Sequence, residues 1–432
     1  CQREGSLLSL KSQKRRFFME IKKLNYGWGV KLAVLLIICV QYTVTITSPI
    51  LGTIMEAFPE HASMVKLLET IPTFAAVIIS ILLGPLMKVF YKKQLLLFGI
   101  ALSFFQFIPA IVPGFWPLFI CRTVAGFGIG FMYSFAASFA VDMFDEKGAA
   151  DMLGLRSTLG AVMGIVYQQL SARFAVASGS YQRSFMVALI LVPIFLYILF
   201  MMPKSCPVED YNREQAKLPH EEKAKEKIYY PLTIALLAVQ FLTLLFSYAF
   251  MTNVSIVTST AVEAGGMGMT AATAANVLSV FTVAIAVGGL LYARVWCRIF
   301  KNFTTGAGIL FLCVGMIINF TAAKSCSLPL LMVGTVLYGF GFEMNNSHLC
   351  QLLPLTSVPS AAASLLGVMY ACINLGSFAA GFITPVISKA IFGEGILADW
   401  NLCIFGLAIS TVLMLVCCGA VNKQVKAKST QQ

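Results

Sequence analysis

Four polar residues stand together inside an otherwise apolar run: Glu343, Asn345, Asn346 and His348, in FGFEMNNSHLC. On a helix, positions three apart share a face, which groups 343 with 346 and 345 with 348. A carboxylate within an apolar segment of this kind is costly, so it faces a bundle interior or a water-filled cavity. Held there, it can take up and release a proton. The competing reading is a structural carboxylate bonded to another helix. His348 lies nearer the end of the run and reads as a satisfied histidine as readily as a proton-exchanging one. Arg122, in LFICRTVAGFGIG, is the isolated cation. In such a setting it must meet a carboxylate, a carbonyl or a bound anion. Glu69 lies about one turn inside another apolar run, where an interfacial position is the simpler expectation.

Weaker polar candidates are scattered through other runs: Gln41, Tyr42 and Thr45, then Tyr133, Asn253, Asn276 and Asn374. Any one of them can serve as a hydrogen bond between helices.

The elements that must position these groups are membrane spans. The 432 residues are 58% hydrophobic and 12% charged, with mean hydropathy +0.83. A soluble domain carries about 25% charged residues. The apolar runs approach the ~20 residues that a helix needs to cross the hydrocarbon core. In lipid, each run can satisfy its backbone groups only as a helix. Twelve spans are expected, over residues 29–52, 64–83, 94–112, 115–141, 153–172, 184–202, 231–257, 271–293, 303–323, 328–350, 363–388 and 400–420.

The second half repeats the first. Thr123, Val124, Gly126, Phe127, Gly128 and Met132 recur as Thr335, Val336, Gly339, Phe340, Gly341 and Met344. Both glycine pairs are 213 residues apart, as are Ala149, Ala150 and Gly154 from Ala362, Ala363 and Gly367. The predicted fold is therefore an all-α membrane protein of two pseudo-symmetric six-helix bundles. The expected divisions are an N-terminal tail at 1–24, bundles at 25–202 and 231–420, a linker at 203–230 and a tail at 421–432. The linker, PKSCPVEDYNREQAKLPHEEKAKEKIYY, reads as a charged connector with a short surface helix.

Basic residues set the orientation. One face of the twelve spans collects most of the Lys and Arg, while the other has Lys66, Arg173, Arg183, Lys324 and Lys389. This asymmetry places both termini in the cytoplasm. It also accounts for the net charge of +12 without nucleic acid, since the basic residues are spread over short loops. Met19, opening MEIKKLNYGWG, is the expected start of translation, and no cleavable signal segment is visible. The twelve cysteines form no C-x-x-C pair and read as small apolar residues, with no metal or cofactor implied.

At this point the residues resemble the major facilitator superfamily of twelve-helix transporters, over about residues 25–420. Arg122, Gly126, Gly128 and Gly130 fit the family's R-x-x-x-G-x-G-x-G pattern in the fourth span. Glycines two apart let neighbouring helices approach closely. The loop after the second span normally reads G-x-L-A-D-R-x-G-R-K and here reads GPLMKVFYKK. Gly84, Leu86, Lys92 and Lys93 fit, but Lys88 stands where the aspartate belongs. In the family that aspartate latches one conformation, so any latch here must be built otherwise. The fifth-span motif G-x-x-x-G-P-x-x-G-G survives only as Gly160 and Gly164, which weakens a drug/proton antiporter reading. The resemblance also implies that spans one, four, seven and ten line a central path, favouring Gln41, Asn253 and Glu343.

These observations imply a secondary transporter moving a small organic solute across the plasma membrane as a monomer, coupled to protons or another ion. An uncoupled facilitator, an efflux antiporter and a transporter-like solute sensor are the alternatives. A membrane-embedded enzyme is disfavoured, because no H-E-x-x-H or G-x-S-x-G motif appears.

Overall fold

Each apolar run closes its own hydrogen-bond ladder, and the chain becomes a bundle of long helices. In the computed structural model, residues 26–144, 146–206, 209–210, 231–356 and 362–430 are described. The expected tail at 1–24 and residues 207–208 and 211–230 of the expected linker lie outside them. No strand occurs among the described residues.

The N-terminal half contains α1 (Trp28–Ala57), α2 (Leu67–Val89), α3 (Lys92–Ala110), α4 (Phe115–Met143), α5 (Glu146–Ser178) and α6 (Tyr181–Met201). The C-terminal half contains α7 (Pro231–Ser259), α8 (Ala271–Leu291), α9 (Thr304–Lys324), α10 (Leu328–Leu352), α11 (Ala362–Phe392) and α12 (Ala398–Thr430). Ten of the twelve meet a length-and-apolarity criterion for crossing a membrane among the described residues. The other two are α5 and α10, whose apolar character is diluted by Arg156, Gln168, Gln169 and Arg173 in one and by Glu343, Asn345, Asn346 and His348 in the other. With twelve crossings, α1 begins and α12 ends on the same side, called here the terminal face. The opposite side is the far face.

The glycine motif explains how α4 is held. Gly126 and Gly130 lie on one side of α4, against Pro72 and Ala76 of α2, while Gly128 between them lies against Gly99 and Ser103 of α3. A Cβ on Gly126 would stand 2.5 Å from the Pro72 Cα, so only glycine fits without moving backbone. The second half repeats this packing. Gly339 of α10 meets Ala284 of α8, and Gly341 meets Gly308 and Leu312 of α9. The repeat in the sequence is thus a repeat of helix contacts.

One step further along, the halves diverge. Gly130 packs on Ala76, but its repeat partner is Glu343, which needs more room. That room comes from Gly288 and Gly289 of α8, whose missing side chains leave space for the carboxylate. A Cβ on Gly289 would come within 3.4 Å of Glu343 Oε1. Beyond Leu291, α8 continues through a π-helical turn, Tyr292–Trp296.

Candidate functional site

The two deep arginines, Arg122 and Arg156, differ in how they are satisfied. Arg122 is fully buried in α4. Its Nε donates to the Leu68 carbonyl at 3.1 Å, one outer nitrogen to Gln106 Oε1 at 3.0 Å, and the other to the Val44 carbonyl at 3.1 Å. Gln106 in turn donates to Thr43 Oγ1 at 2.7 Å. Arg122 therefore ties α4 to α1, α2 and α3. Glu69 lies within its electrostatic reach, is 3% exposed, and accepts from Ser48 Oγ at 2.7 Å while its other oxygen is buried without a partner. Glu69 is thus a buried partner of Arg122 rather than an interfacial residue. The packing explains it: Glu69 lies one turn before Pro72 and Arg122 one turn before Gly126, and Pro72 and Gly126 are in contact.

Arg156 of α5 has no such partners. Its Nε is buried without an acceptor, and no ion pair or hydrogen bond engages its other nitrogens among the described residues. Three tyrosines from three other helices lie within its electrostatic reach: Tyr42 of α1, Tyr133 of α4 and Tyr370 of α11. Sequence reasoning passed over Arg156, because it sits near the charged, more polar start of α5. Tyr42 is seated by the glycines of the fifth-span motif. Added Cβ atoms on Gly160 and Gly164 would stand 2.6 and 3.0 Å from its ring. Those two glycines are thus a shelf for one aromatic side chain, one turn beyond Arg156.

Glu343 faces this group from the other half. It lies within electrostatic reach of Tyr42 and Tyr370, as Arg156 does. The depths agree. Arg156 is ten residues from Glu146, Tyr133 ten from Met143, Glu343 nine from Leu352 and Tyr370 eight from Ala362, all counted from the terminal face. At about 1.5 Å per residue, these side chains share one layer roughly 12–15 Å from that end. Glu343 Oε1 accepts from Ser347 Oγ at 2.5 Å, one turn along its own helix.

The other expected residues are placed as follows. Asn346 Oδ1 accepts from Gln240 Nε2 of α7 at 3.1 Å, joining two helices of one half. His348 is buried against α9, where its Nδ1 meets Thr305 Oγ1 at 2.6 Å and the Thr305 amide at 3.2 Å. Asn345 is buried with neither amide atom bonded. Asn253 donates to the Ala249 carbonyl at 2.8 Å and Thr252 Oγ1 at 3.0 Å, leaving its Oδ1 unpartnered. The side-chain oxygen of Gln41, next to Tyr42, is likewise buried and unpartnered. The structure brings Glu343 within electrostatic reach of Tyr42, and Tyr42 within reach of Tyr133, and sets His348 and Arg122 into packing between helices of their own halves.

The halves meet near the far face. Lys66, just before α2, pairs with Asp399 at the start of α12, and Asp399 also accepts from Ser388. Ser255 of α7 accepts from the Gly52 amide at 3.2 Å and donates to the Pro49 carbonyl at 2.7 Å. Phe74 of α2 stacks on Phe378 of α11 at 4.4 Å between ring centroids, and Thr70 fits against Gly381. Gln169 of α5 reaches Asn276 at 2.9 Å and Ser279 at 3.0 Å, both on α8. These contacts lie on the far side of the Arg156–Glu343 layer.

On the terminal face, Gly84 and Lys88 lie in the last turns of α2, with Lys88 exposed. The neighbouring lysines make the connections. Lys92 pairs with Asp142 of α4 and donates to Ser138 Oγ at 2.6 Å, and its amide donates to Glu209 Oε1 at 2.8 Å. Lys93 donates to the Leu199 and Met202 carbonyls at 2.8 and 2.6 Å. A link from the α2–α3 loop to α4 is therefore present, made by Lys92 and Asp142 in place of the absent loop aspartate.

Comparisons with known proteins point the same way. A search of curated proteins finds no match. Among solved structures, a bacterial homologue of the human lysosomal transporter Spinster, inward-facing and unoccupied, is 14% identical with a TM-score of 0.64, covering 91% of this chain and 94% of that one. The nucleoside transporter NupG is 15% identical with a TM-score of 0.66, over 91% and 99%. A D-xylose–proton symporter is 13% identical with a TM-score of 0.66, over 90% and 97%. At these identities the likeness is one of fold. The sequence model of the Major Facilitator Superfamily matches residues 33–380. Twelve helices in two repeated halves, and a family match across most of the chain, establish that this protein belongs to the major facilitator superfamily and is a transporter, not an enzyme.

Proposed function

We propose that this protein is a secondary active transporter, moving a small organic solute across the plasma membrane by alternating access, with proton coupling through Glu343. The observation that carries the reading is the position of Glu343: a carboxylate bonded, among the described residues, only to a serine of its own helix, in a layer shared by both halves, with the contacts named between halves lying to one side of it. A carboxylate that changes protonation there couples the proton to the rearrangement of the halves. One structural neighbour is a D-xylose–proton symporter. The distribution of basic residues supports cytoplasmic termini, which makes the far face, where the named contacts between halves lie, the external one. A functional monomer suffices, since one chain supplies both walls of the layer.

The test is uptake into proteoliposomes under an imposed pH gradient, across a panel of organic acids, sugars and nucleosides. The wild type concentrates its solute only with the gradient present, and Glu343→Gln loses that dependence. Full gradient-driven accumulation by Glu343→Gln would overturn the coupling role of Glu343, whereas wild-type uptake that only equilibrates, with or without the gradient, would leave an uncoupled facilitator.

A further inference from the structure

We propose that the solute is a small organic monocarboxylate whose anionic group is bound by Arg156. The proposal rests on the transporter reading and names the substrate class of the same layer.

The argument begins with unmatched charge. Arg122 has three acceptors and an adjacent carboxylate, so it has little left to offer a solute. Arg156 has none of these among the described residues, and its Nε is enclosed without an acceptor. Arg156 is half-buried, and a guanidinium whose inner nitrogen is enclosed without an acceptor is costly, so such a group marks a place where an anion binds. The two-pronged guanidinium edge matches a carboxylate in shape and charge.

The surroundings suit the same ligand. The hydroxyls of Tyr42 and Tyr133 make no hydrogen bond among the described residues, and both rings lie near Arg156. Each can donate to a carboxylate oxygen. The Gly160–Gly164 shelf holds the Tyr42 ring in place, which reduces the ordering cost of binding. Tyr370 supplies an aromatic face from the opposite half for an apolar body. Glu343 is turned toward Ser347 and the Gly288–Gly289 space, away from a direct pairing with Arg156. A single unmatched cation calls for a single negative charge, which favours a carboxylate over a phosphate dianion.

Thermal unfolding of the purified full-length protein tests this with matched probes: benzoate, lactate and indole-3-acetate, each beside its uncharged amide, plus benzylamine and inorganic phosphate. At least one carboxylate is expected to raise Tm in a concentration-dependent way, and its amide to have no effect. Arg156→Gln is expected to unfold at the wild-type temperature without ligand, because Arg156 has no bonds to lose, and to bind the carboxylate about tenfold or more weakly. Arg156→Lys recovers part of the affinity. A shift as large from the amide, from benzylamine or from phosphate overturns the carboxylate assignment. So does an undiminished shift in Arg156→Gln, or no shift from any carboxylate. Gradient-driven uptake of an uncharged solute would overturn this proposal while leaving the transporter reading intact. Failure of Glu343→Gln to alter coupling would overturn the coupling role of Glu343 and leave this proposal intact.

Discussion

Arg122 and Arg156 have the same side chain and opposite circumstances. Arg122 spends its donors on three carbonyl oxygens from α1, α2 and α3. Lysine, a point charge without the planar fork, cannot reproduce that geometry. Arg122→Lys and Arg122→Gln should therefore both lower the melting temperature of the ligand-free protein, with a loss on the order of 3–5 kcal/mol for the glutamine, which leaves Glu69 uncompensated. Double replacement by Arg122→Gln and Glu69→Gln should be less harmful than the sum of the two single changes, measured in the same unfolding assay. If Arg122→Gln instead leaves stability untouched, the tether is not holding the four helices. Arg122 and Glu343 were legible in the sequence because a lone charge in an apolar run is conspicuous. Glu69 and Arg156 were not, since each lies close to the end of its expected span, 64–83 or 153–172, where a charge is ordinary. Only the three-dimensional packing shows that one is enclosed and the other unanswered.

The helices themselves were largely readable, since all twelve expected spans correspond to α1–α12. Their lengths follow from apolar runs, and their close approaches from glycine spacing. What periodicity could not provide is the identity of the neighbour. Gly160 and Gly164 look like a helix-packing motif, and the structure shows the ring of Tyr42 resting on them. A methyl group at position 160 would stand 2.6 Å from that ring, so the ring must move. Gly160→Ala should fold, weaken carboxylate binding as Tyr42→Ala does, and add little when combined with it. Additive losses in the double variant would mean that the shelf does not act through Tyr42. The space beside Glu343 was equally hidden, because it is made by glycines on α8, more than fifty residues earlier in the chain.

For the molecule as a whole, the two halves act as walls whose contacts lie on the far side of the charged layer. Thr70 of α2 and Gly381 of α11 come from different halves, and a Cβ on Gly381 would lie 3.2 Å from the Thr70 Cβ. Cysteines at both positions are close to disulfide separation. Oxidation of the Thr70→Cys, Gly381→Cys pair should stop transport, and a reductant should restore it, while each single variant is insensitive. Undiminished transport by the cross-linked protein would show that these helices need not part. The two-bundle arrangement was legible from the 213-residue repeat, but the side on which the bundles touch was not. It depends on pairs such as Lys66 with Asp399 and Gly52 with Ser255, which come from segments far apart in the chain.

The far-face contacts have a further consequence, for how strongly solute binds from each side. The contacts named between the halves lie on the far side, so a solute arriving at the terminal face need not break them. One arriving at the far face can occupy only those molecules in which Lys66 has left Asp399 and Ser255 has released Pro49 and Gly52. Its half-saturating concentration is raised by the inverse of that fraction, about tenfold for every ~1.4 kcal/mol that favours the closed arrangement. One polypeptide inserted in opposite directions in a vesicle would then behave as two carriers, one saturating at low concentration and one at high.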